Sequence, residues 1–407
     1  MTQRTASQQP VQAGRVHDVD ALRGFALLGI FVVNITFMAS AYPGNLVDDP
    51  NFSAPIDAVV RFLVAAVKSK KNNLLFTFLF GNSIVLQMDA AGRAGAAFVP
   101  RMLRRSLGLF VLGAGHIVLL YSGDVLTTYA VICLVPLAMH HVRDRTALLT
   151  SGIIYAFVTL SLVISAAFLD RSMFMPSHDE ALSQAAAQTQ TMLGGPIDIL
   201  GHHLAGLDLL VIQAASLQGP TALAMFLIGM IAARRRLFSN LGEKSSLLRR
   251  IQVIGFAVGL PGGVLFAWLG GDTNTWATAV SVVTAPFLSA AYVATLVRLL
   301  HVPWGGWLRR VLEPVGRIAL TNYLGQSVAG LILFSGIGIG LAGRVSPLVL
   351  LVLAVVIFAV QAAVSAWWLR SHRYGPAEYL LRLFTNWSRP TRSSSGHKQP
   401  APPDARF

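Results

Sequence analysis

The chain has 407 residues, of which 54% are hydrophobic and only 12% are charged. This composition excludes an ordinary soluble domain and predicts a protein whose solvent is the lipid bilayer, so membrane lipids are its first expected partners. The formal net charge of +14 does not indicate a nucleic-acid partner, because the basic residues are spread over many membrane-flanking segments. The single cysteine, Cys133, excludes an intrachain disulfide and a cysteine-based metal cluster.

Apolar stretches long enough to cross a bilayer run through most of the chain. A hydrocarbon core of roughly 30 Å needs about 20 helical residues. By this measure the predicted spans lie near residues 21–41, 72–90, 106–122, 125–141, 147–169, 206–233, 251–270, 276–298, 315–341 and 346–370. The predicted fold class is therefore all-α, a polytopic transmembrane helical bundle of about 10 spans.

The basic residues predict the orientation of this bundle. Most of the 32 Lys and Arg residues occur before the first predicted span or in every second connection after it. Cytoplasmic loops of membrane proteins retain Lys and Arg. We therefore expect both termini to be cytoplasmic.

The segments outside the spans differ in composition. The predicted parts are a cytoplasmic N-terminal segment at 1–20, the transmembrane domain at 21–370, a cytoplasmic membrane-proximal motif at 371–386 and a disordered cytoplasmic tail at 387–407. Two long outer connections, near 42–71 and 170–205, are amphipathic in part and are predicted to lie in the membrane interface. The tail is rich in Ser, Pro and Arg and has no apolar period, which is typical of disorder.

Polar residues at membrane depth are the first candidates for function, since such groups usually face a cavity or a partner. Asp20 and Arg23 are three residues apart and can pair on one face of the first span. Asn34 follows eleven residues later on the same stripe, about 16 Å deeper. The competing interpretation is a helix cap followed by a basic anchor at the cytoplasmic surface.

A histidine within the third span is the second candidate. His116 follows the small residues Gly113, Ala114 and Gly115, which would allow a helix or a ligand to approach closely. A neutral imidazole can take a proton from a hydroxyl or amine during acyl transfer. Asp124 could orient this ring or hold the acceptor. Alternatively, His116 is hydrogen-bonded to a neighbouring helix and Asp124 caps the fourth span.

The opening turns of the ninth predicted span carry the third cluster of polar residues. Arg317, Asn322, Tyr323 and Gln326 all lie within them, as expected of a helix that lines a polar space. The alternative is interhelical hydrogen bonding. The adjacent His202 and His203 would diverge by about 100° on a helix and are interpreted as surface residues, not as a metal pair.

Several separated strings of residues resemble one family. They are DALRGFALLGI at 20–30 with Asn34, Lys71 with LFTFLFG at 75–81, Gly115 and His116 with GDVL at 123–126 and Tyr129 and Ala130, GRIALTNYL at 316–324 with Gln326 and Ser327, and YGPAEYLLR at 374–382. These strings look like those of the DUF418 (YeiB-like) membrane proteins. That family is similar to a wider group of transmembrane acyltransferases, which includes lysosomal heparan-glucosaminide acetyltransferase and the acyltransferase-3 enzymes.

This resemblance implies a location and an activity. The location is the bacterial cytoplasmic (inner) membrane. The activity is transfer of an acetyl or short acyl group from acyl-CoA, for example acetyl-CoA, to a hydroxyl or amine. The acceptor would be a small molecule or a glycan, such as a sugar, an envelope component or a secondary metabolite. Formation of a homo-oligomer stays open.

The site residues can then be given expected roles. His116 is the expected general base and Asp124 its orienter, while Arg23 and Arg317 are expected to bind the phosphates of the CoA donor. The expected substrate-binding residues are Asp20, Asn34, Lys71, Asn322, Tyr323 and Gln326. Such chemistry needs no metal, so we expect none. The alternative functions are a small-molecule transporter or exporter, which also needs a polar-lined bundle, and a non-catalytic envelope protein.

Overall fold

A computed structural model of the protein describes residues 17–68, 71–93, 95, 97–170, 174–237 and 245–386, and in them every regular element is a helix. The helices are α1 His17–Ala39, α2 Pro55–Lys68, α3 Lys71–Arg93, α4 Phe98–Leu119, α5 Leu126–Ile132, α6 Leu134–Ala138, α7 Asp144–Phe168, α8 His178–Met192, α9 Pro196–Ala205, α10 Leu207–Gln213, α11 Gly219–Arg234, α12 Ser245–Trp268, α13 Thr275–Leu300, α14 Gly305–Arg317, α15 Ala319–Phe334, α16 Pro347–Trp368 and α17 Pro376–Asn386. A π-helical turn, Ala214–Gln218, joins α10 to α11. The predicted all-α fold is confirmed.

Seven helical segments in the described residues are long and apolar enough to cross a membrane. They are α1, α4, α7, the run Pro196–Arg234, α12, α13 and α16. Three shorter apolar helices, Leu74–Asp89, Leu126–Ala138 and Ala319–Phe334, coincide with the other predicted spans. The chain is thus a multi-pass membrane protein, while the count of about 10 spans and the cytoplasmic termini stay predictions. The segment before residue 17 and the predicted tail at 387–407 lie outside the described residues.

Two predicted spans are interrupted helices. The span predicted at 125–141 consists of α5 and α6, which meet at Cys133. Pro136 has no N–H to bond back toward Ile132, which explains the interruption. The span predicted at 315–341 begins only with α15, because the backbone leaves the helical region at Ile318 with φ −119° and ψ 48°. Arg317 therefore ends α14 and does not open α15.

The predicted amphipathic helix in the first outer connection is present as α2. It exposes Ile56, Val59, Leu63 and Val67 at helical spacing, which is typical of a face in contact with lipid. The Tyr292 hydroxyl of α13 donates to the main-chain carbonyl of Val67 over 3.0 Å. That contact ties the end of α2 to the bundle, while its predicted place in the headgroup layer stays untested.

Close backbone contacts set the relation of α1 to α14 and α15. A Cβ added to Gly316 would lie 1.7 Å from the carbonyl oxygen of Asp20, and one added to Gly24 would lie 2.2 Å from that of Leu312. Only glycine allows helices to approach so closely. Fourteen residues after Gly316, Gly330 of α15 packs against Met38. Gly316 thus lies beside Asp20 near the start of α1, and Gly330 lies beside Met38 near its end. Since both segments of the chain advance in the same direction between these contacts, α15 runs parallel to α1.

The short helix α17 fixes the start of α15. Its Glu378 carboxylate accepts hydrogen bonds from the Leu320 N–H, at 2.7 Å, and from the Thr321 hydroxyl, at 2.6 Å. A carboxylate at a helix N-terminus satisfies free N–H groups and complements the helix dipole. The other side of α17 places Leu381 against Gly108 of α4. This contact fixes α15 relative to α4, the two helices that form the candidate site.

Candidate functional site

Three side chains from distant parts of the chain form a continuous hydrogen-bonded row. The His116 Nδ1 atom lies 2.9 Å from Asp124 Oδ1, and His116 Nε2 lies 2.7 Å from the Ser327 hydroxyl oxygen. The side chains of His116 and Asp124 are completely buried, and Ser327 is 1% exposed. A carboxylate, an imidazole and a hydroxyl in this order form the arrangement with which many enzymes activate a serine.

The local sequence explains why Asp124 faces the histidine. Helix α4 ends at Leu119, three residues after His116, and the chain then turns back through a part-buried loop, of which Asp124 and Val125 are buried, into α5. The second carboxylate oxygen of Asp124 accepts from the Thr127 N–H at 2.7 Å and from the Thr127 hydroxyl at 2.8 Å. Gly113 makes room, since a Cβ there would lie 2.9 Å from that same oxygen. Asp124 thus caps α5 and orients His116 at once.

Two aromatic rings enclose the imidazole. The Tyr323 ring, one helical turn before Ser327, lies 5.1 Å from the His116 ring between centroids. The Tyr121 ring meets His116 edge-on at 6.3 Å. Such packing limits the rotation of the imidazole and excludes water from it.

Ser327 is the residue to which the sequence interpretation gave no role. A serine in an apolar helix is common, and 211 positions separate it from His116. Two signals were available: its place in the string that ends at Ser327, and its position four residues after Tyr323, which places both on the same face of α15.

The other polar residues of α15 face away from this row. The Asn322 amide nitrogen donates to the Ser365 hydroxyl of α16 at 2.9 Å, and Gln326 donates to the Gln361 side-chain oxygen at 3.1 Å. Gln361 in turn donates to the main-chain oxygen of Asn322 at 3.0 Å. These contacts form a network between α15 and α16, so the structure pairs Tyr323 with His116 but directs Asn322 and Gln326 to a neighbouring helix.

An arginine-rich region lies at the other end of α4. Arg23 donates to Asp20 at 2.8 Å and to the Ser83 hydroxyl at 2.5 Å. Arg105 of α4 lies within electrostatic range of Arg23, Arg382 and Glu378. Neither Arg105 nor Arg382 was given a binding role from the sequence. Together these side chains form a predominantly positive region near the start of α1.

The remaining predicted residues have the following positions. Arg317 follows Gly316, whose backbone contacts Asp20, so it ends α14 at the same end of the bundle as Arg23. Asn34 is part-buried and precedes Met38 by one turn, which places it at the level of Gln326. Lys71 begins α3, but its side chain lies outside the described part of the structure.

A small open cleft of about 50 Å³ lies beyond the histidine, at the far end of α4 from Arg105. Met38, Tyr121, His203 and Gly330 are among the residues that line it, and Tyr121 is the same ring that contacts His116. The surface interpretation of His203 is wrong, because its side chain is 6% exposed and hydrogen-bonded to the carbonyl of Val118 at 3.1 Å. Among the described residues no group of three or more His, Cys, Asp or Glu could hold a metal ion.

Comparisons with known proteins give relatives over almost the whole chain. A family model described as "Protein of unknown function (DUF418)" matches residues 232–388. The chain is 30% identical to "Uncharacterized protein YxaH" of Bacillus subtilis, over 93% of this chain and 96% of the relative. It is 31% identical to "Uncharacterized 39.9 kDa protein in amylase 3'region" of Bacillus acidopullulyticus, over 91% and 94%. Its identity to "Uncharacterized protein YeiB" of Escherichia coli is 24%, over 90% and 95%.

Proposed function

The chain belongs to the DUF418 family of membrane proteins, and within that family we propose that it is an acyltransferase of the transmembrane acyltransferase type. It moves an acetyl or short acyl group from acyl-CoA to the hydroxyl or amine of a small-molecule or glycan acceptor. The observation that carries this proposal is the completely buried pair of His116 and Asp124, 2.9 Å apart. A histidine oriented by a carboxylate and shielded from water is suited to general-base catalysis.

The proposed chemistry needs one proton acceptor and a group that stabilises the positive charge which the acceptor then carries. His116 contacts Asp124 through its Nδ1 atom. The other ring nitrogen, Nε2, is thus left to take a proton from the nucleophile as the nucleophile attacks the thioester carbonyl. The imidazolium formed then lies beside the Asp124 carboxylate in a medium of low dielectric constant, where the attraction between them is strong. His116 returns the proton to the leaving thiolate. The residues therefore complete the transfer without a metal.

The arginine-rich end is the proposed site of the donor's phosphates. A guanidinium group can bind two phosphate oxygens at once. Arg23 and Arg317 lie at one end of the bundle, with Arg105 and Arg382 nearby. Arg105 and His116 are eleven residues apart on one helix, about 16 Å along its axis. A long flexible arm between the phosphates and the thioester, as CoA has, fits this separation.

An assay with purified protein in nanodiscs tests the proposal. Labelled acetyl-CoA and a pool of envelope acceptors should yield a labelled acceptor and free CoA, whereas uptake of an acceptor without any acyl transfer would favour a transporter. Arg23→Ala should weaken acetyl-CoA binding by roughly tenfold to a hundredfold, as expected for a lost charged hydrogen bond. Arg23→Lys should restore part of it, since Lys cannot bind phosphate bidentately.

A matched control is available on α14. Arg310 is an exposed arginine that, among the described residues, donates to a main-chain oxygen of its own helix, so Arg310→Ala should bind acetyl-CoA like the wild type. Equal affinity in Arg23→Ala, Arg317→Ala and Arg310→Ala would return the first two to a purely topological role.

We place the protein in the inner membrane with both termini in the cytoplasm. Reporter fusions after residues 99, 240 and 392 should report the cytoplasm, and fusions near 50, 185 and 273 the opposite side. The reason is the concentration of Lys and Arg at every second connection. A cytoplasmic signal at residue 185 would contradict this topology and with it a cytoplasmic donor at the arginine-rich end.

A further inference from the structure

Ser327 departs from the usual behaviour of a helical serine. Hydroxyl groups within helices commonly donate to the carbonyl one turn earlier. In this protein Ser83 donates to Leu79, Ser335 to Leu331 and Thr385 to Leu381. Ser327 makes no such bond in the described structure, and its hydroxyl lies 2.7 Å from His116 Nε2 instead. The direction of its hydroxyl group is therefore determined by His116 and not by a hydrogen bond within α15.

The direction of each hydrogen bond follows from the acceptors. The Asp124 carboxylate can only accept, so His116 donates its Nδ1–H to it. Nε2 of the neutral ring then carries a lone pair and must accept the hydroxyl hydrogen of Ser327. The Thr127 contacts hold the carboxylate in place. The serine oxygen is thereby aligned to lose its proton to the histidine.

We infer that Ser327 is the nucleophile of this site and carries the acyl group as a serine ester between the donor and the acceptor. This inference rests on the proposed acyltransferase function and extends it. It assigns to His116 two successive proton transfers in place of one, and it adds a covalent step that the His116 and Asp124 pair alone does not require.

The two steps balance. In the first, the Ser327 oxygen attacks the thioester carbonyl of acyl-CoA, its proton passes to His116, the C–S bond breaks and the proton leaves with the CoA thiol. In the second, the acceptor hydroxyl or amine gives its proton to His116 and attacks the serine ester. The ester bond to Ser327 breaks, and His116 returns the proton to the serine oxygen. The products are free CoA and the acylated acceptor.

A covalent carrier suits the placement of the two approaches to the site. The donor's proposed phosphate region lies about 16 Å from His116 along α4, whereas the cleft lined by Met38, Tyr121 and Gly330 lies beyond the other end of that helix. Ser327 is on α15, less than one turn before Gly330. Ser327 does not line the cleft itself, so the carrier requires the acceptor to pass Tyr121 and Gly330 to reach the acyl group after CoA has left.

Acyl-enzyme trapping tests the carrier directly. Full-length protein in nanodiscs is mixed with labelled acetyl-CoA without an acceptor, quenched in acid and digested for mass spectrometry. We expect a burst of about one CoA per protein and one acetyl group on the peptide that contains Ser327. Ser327→Ala should lose the burst and slow transfer by at least about a hundredfold. Ser327→Cys should retain a labelled protein whose thioester is cleaved by hydroxylamine.

The matched control is Ser365→Ala, because Ser365 is also a serine with 1% exposure on a neighbouring helix. It should keep both the burst and the labelled Ser327 peptide. Normal transfer without an acyl-serine, or with the label on His116, would overturn the carrier and leave the acyltransferase proposal standing. Absence of transfer from acyl-CoA in the wild type would overturn the acyltransferase proposal and the carrier with it.

Discussion

Helix α15 presents two faces. Each carries two uncharged polar side chains, and the two faces differ in what they contact. One face carries Tyr323 and Ser327 and meets His116 of α4. The other carries Asn322 and Gln326 and meets α16. We call them the histidine face and the amide face. Both are buried in the bundle, yet of the two only the first meets an imidazole that is paired with a carboxylate.

The difference lies in the kinds of groups that meet. On the amide face, side-chain amides and hydroxyls bond to one another and to the backbone, which is how membrane helices commonly associate. On the histidine face, a carboxylate and a hydroxyl hold opposite sides of one imidazole. The first arrangement joins helices and the second can move a proton. Substitutions on each face should therefore change different properties.

The largest expected effect is that of His116→Ala. Loss of a general base typically costs 10²–10⁴-fold in rate, so acyl transfer should fall by that factor while acetyl-CoA binding persists. Transfer rate, acetyl-CoA affinity and melting temperature should be measured on the same preparation. A His116→Gln protein that folds and turns over normally would remove the distinction between the two faces and favour the transporter.

A smaller effect is expected of Asp124→Asn. The amide keeps the shape of the carboxylate but loses the charge that stabilises the imidazolium, so transfer should slow, though by less than in His116→Ala, which removes the base itself. The control is Thr127→Val, which leaves the main-chain N–H bond to Asp124 in place and should slow transfer by only a few-fold. An Asp124→Asn rate equal to that of the wild type would reduce Asp124 to a helix cap.

The fold was predictable from the sequence to the extent that hydropathy controls it. The length of an apolar stretch is a local property, so the long spans and the amphipathic α2 were visible in the sequence. The break at Ile318 was not, because it depends on a cap supplied by Glu378, 58 residues away from Leu320. Apolar length alone does not reveal where a buried helix is interrupted.

The candidate site shows the same limit. His116 and Asp124 are eight residues apart, and their pairing could be considered from local spacing. The partner of His116 on its other side could not, since Ser327 reaches it only through the packing of α15 against α4 by way of α17. Polar residues of α15 looked alike in sequence, and the division into a histidine face and an amide face depends on which helix packs on each side.

On the amide face the expected effect is on stability. Gln361→Ala removes the bond to Gln326 and the bond to the Asn322 main chain. Interhelical hydrogen bonds in membranes contribute about 0.6 kcal/mol each on average, so unfolding should become easier by about 1 kcal/mol. The rate per folded molecule should stay that of the wild type. Reversible unfolding in detergent measures the free energy of unfolding. A Gln361→Ala protein with normal stability and slow transfer would show that the amide face belongs to the site.

The smallest expected effect, and the sharpest comparison, comes from alanine at Ser365. Ser327 and Ser365 are each 1% exposed, and alanine removes one hydroxyl oxygen from either. Ser365→Ala removes two bonds with Asn322, one accepted at 2.9 Å and one donated at 3.3 Å. Asn322 keeps its bond to the Val315 carbonyl at 3.1 Å, so the loss should be at most about 1 kcal/mol of stability. Ser327→Ala should cost a similar amount, about 0.6 kcal/mol, because it removes the one interhelical hydrogen bond to His116. If the two faces differ as their contacts indicate, the variants will match in unfolding free energy and separate by at least about a hundredfold in transfer rate. Equal rates in the two variants would place Ser327 among the helix-joining residues of the amide face.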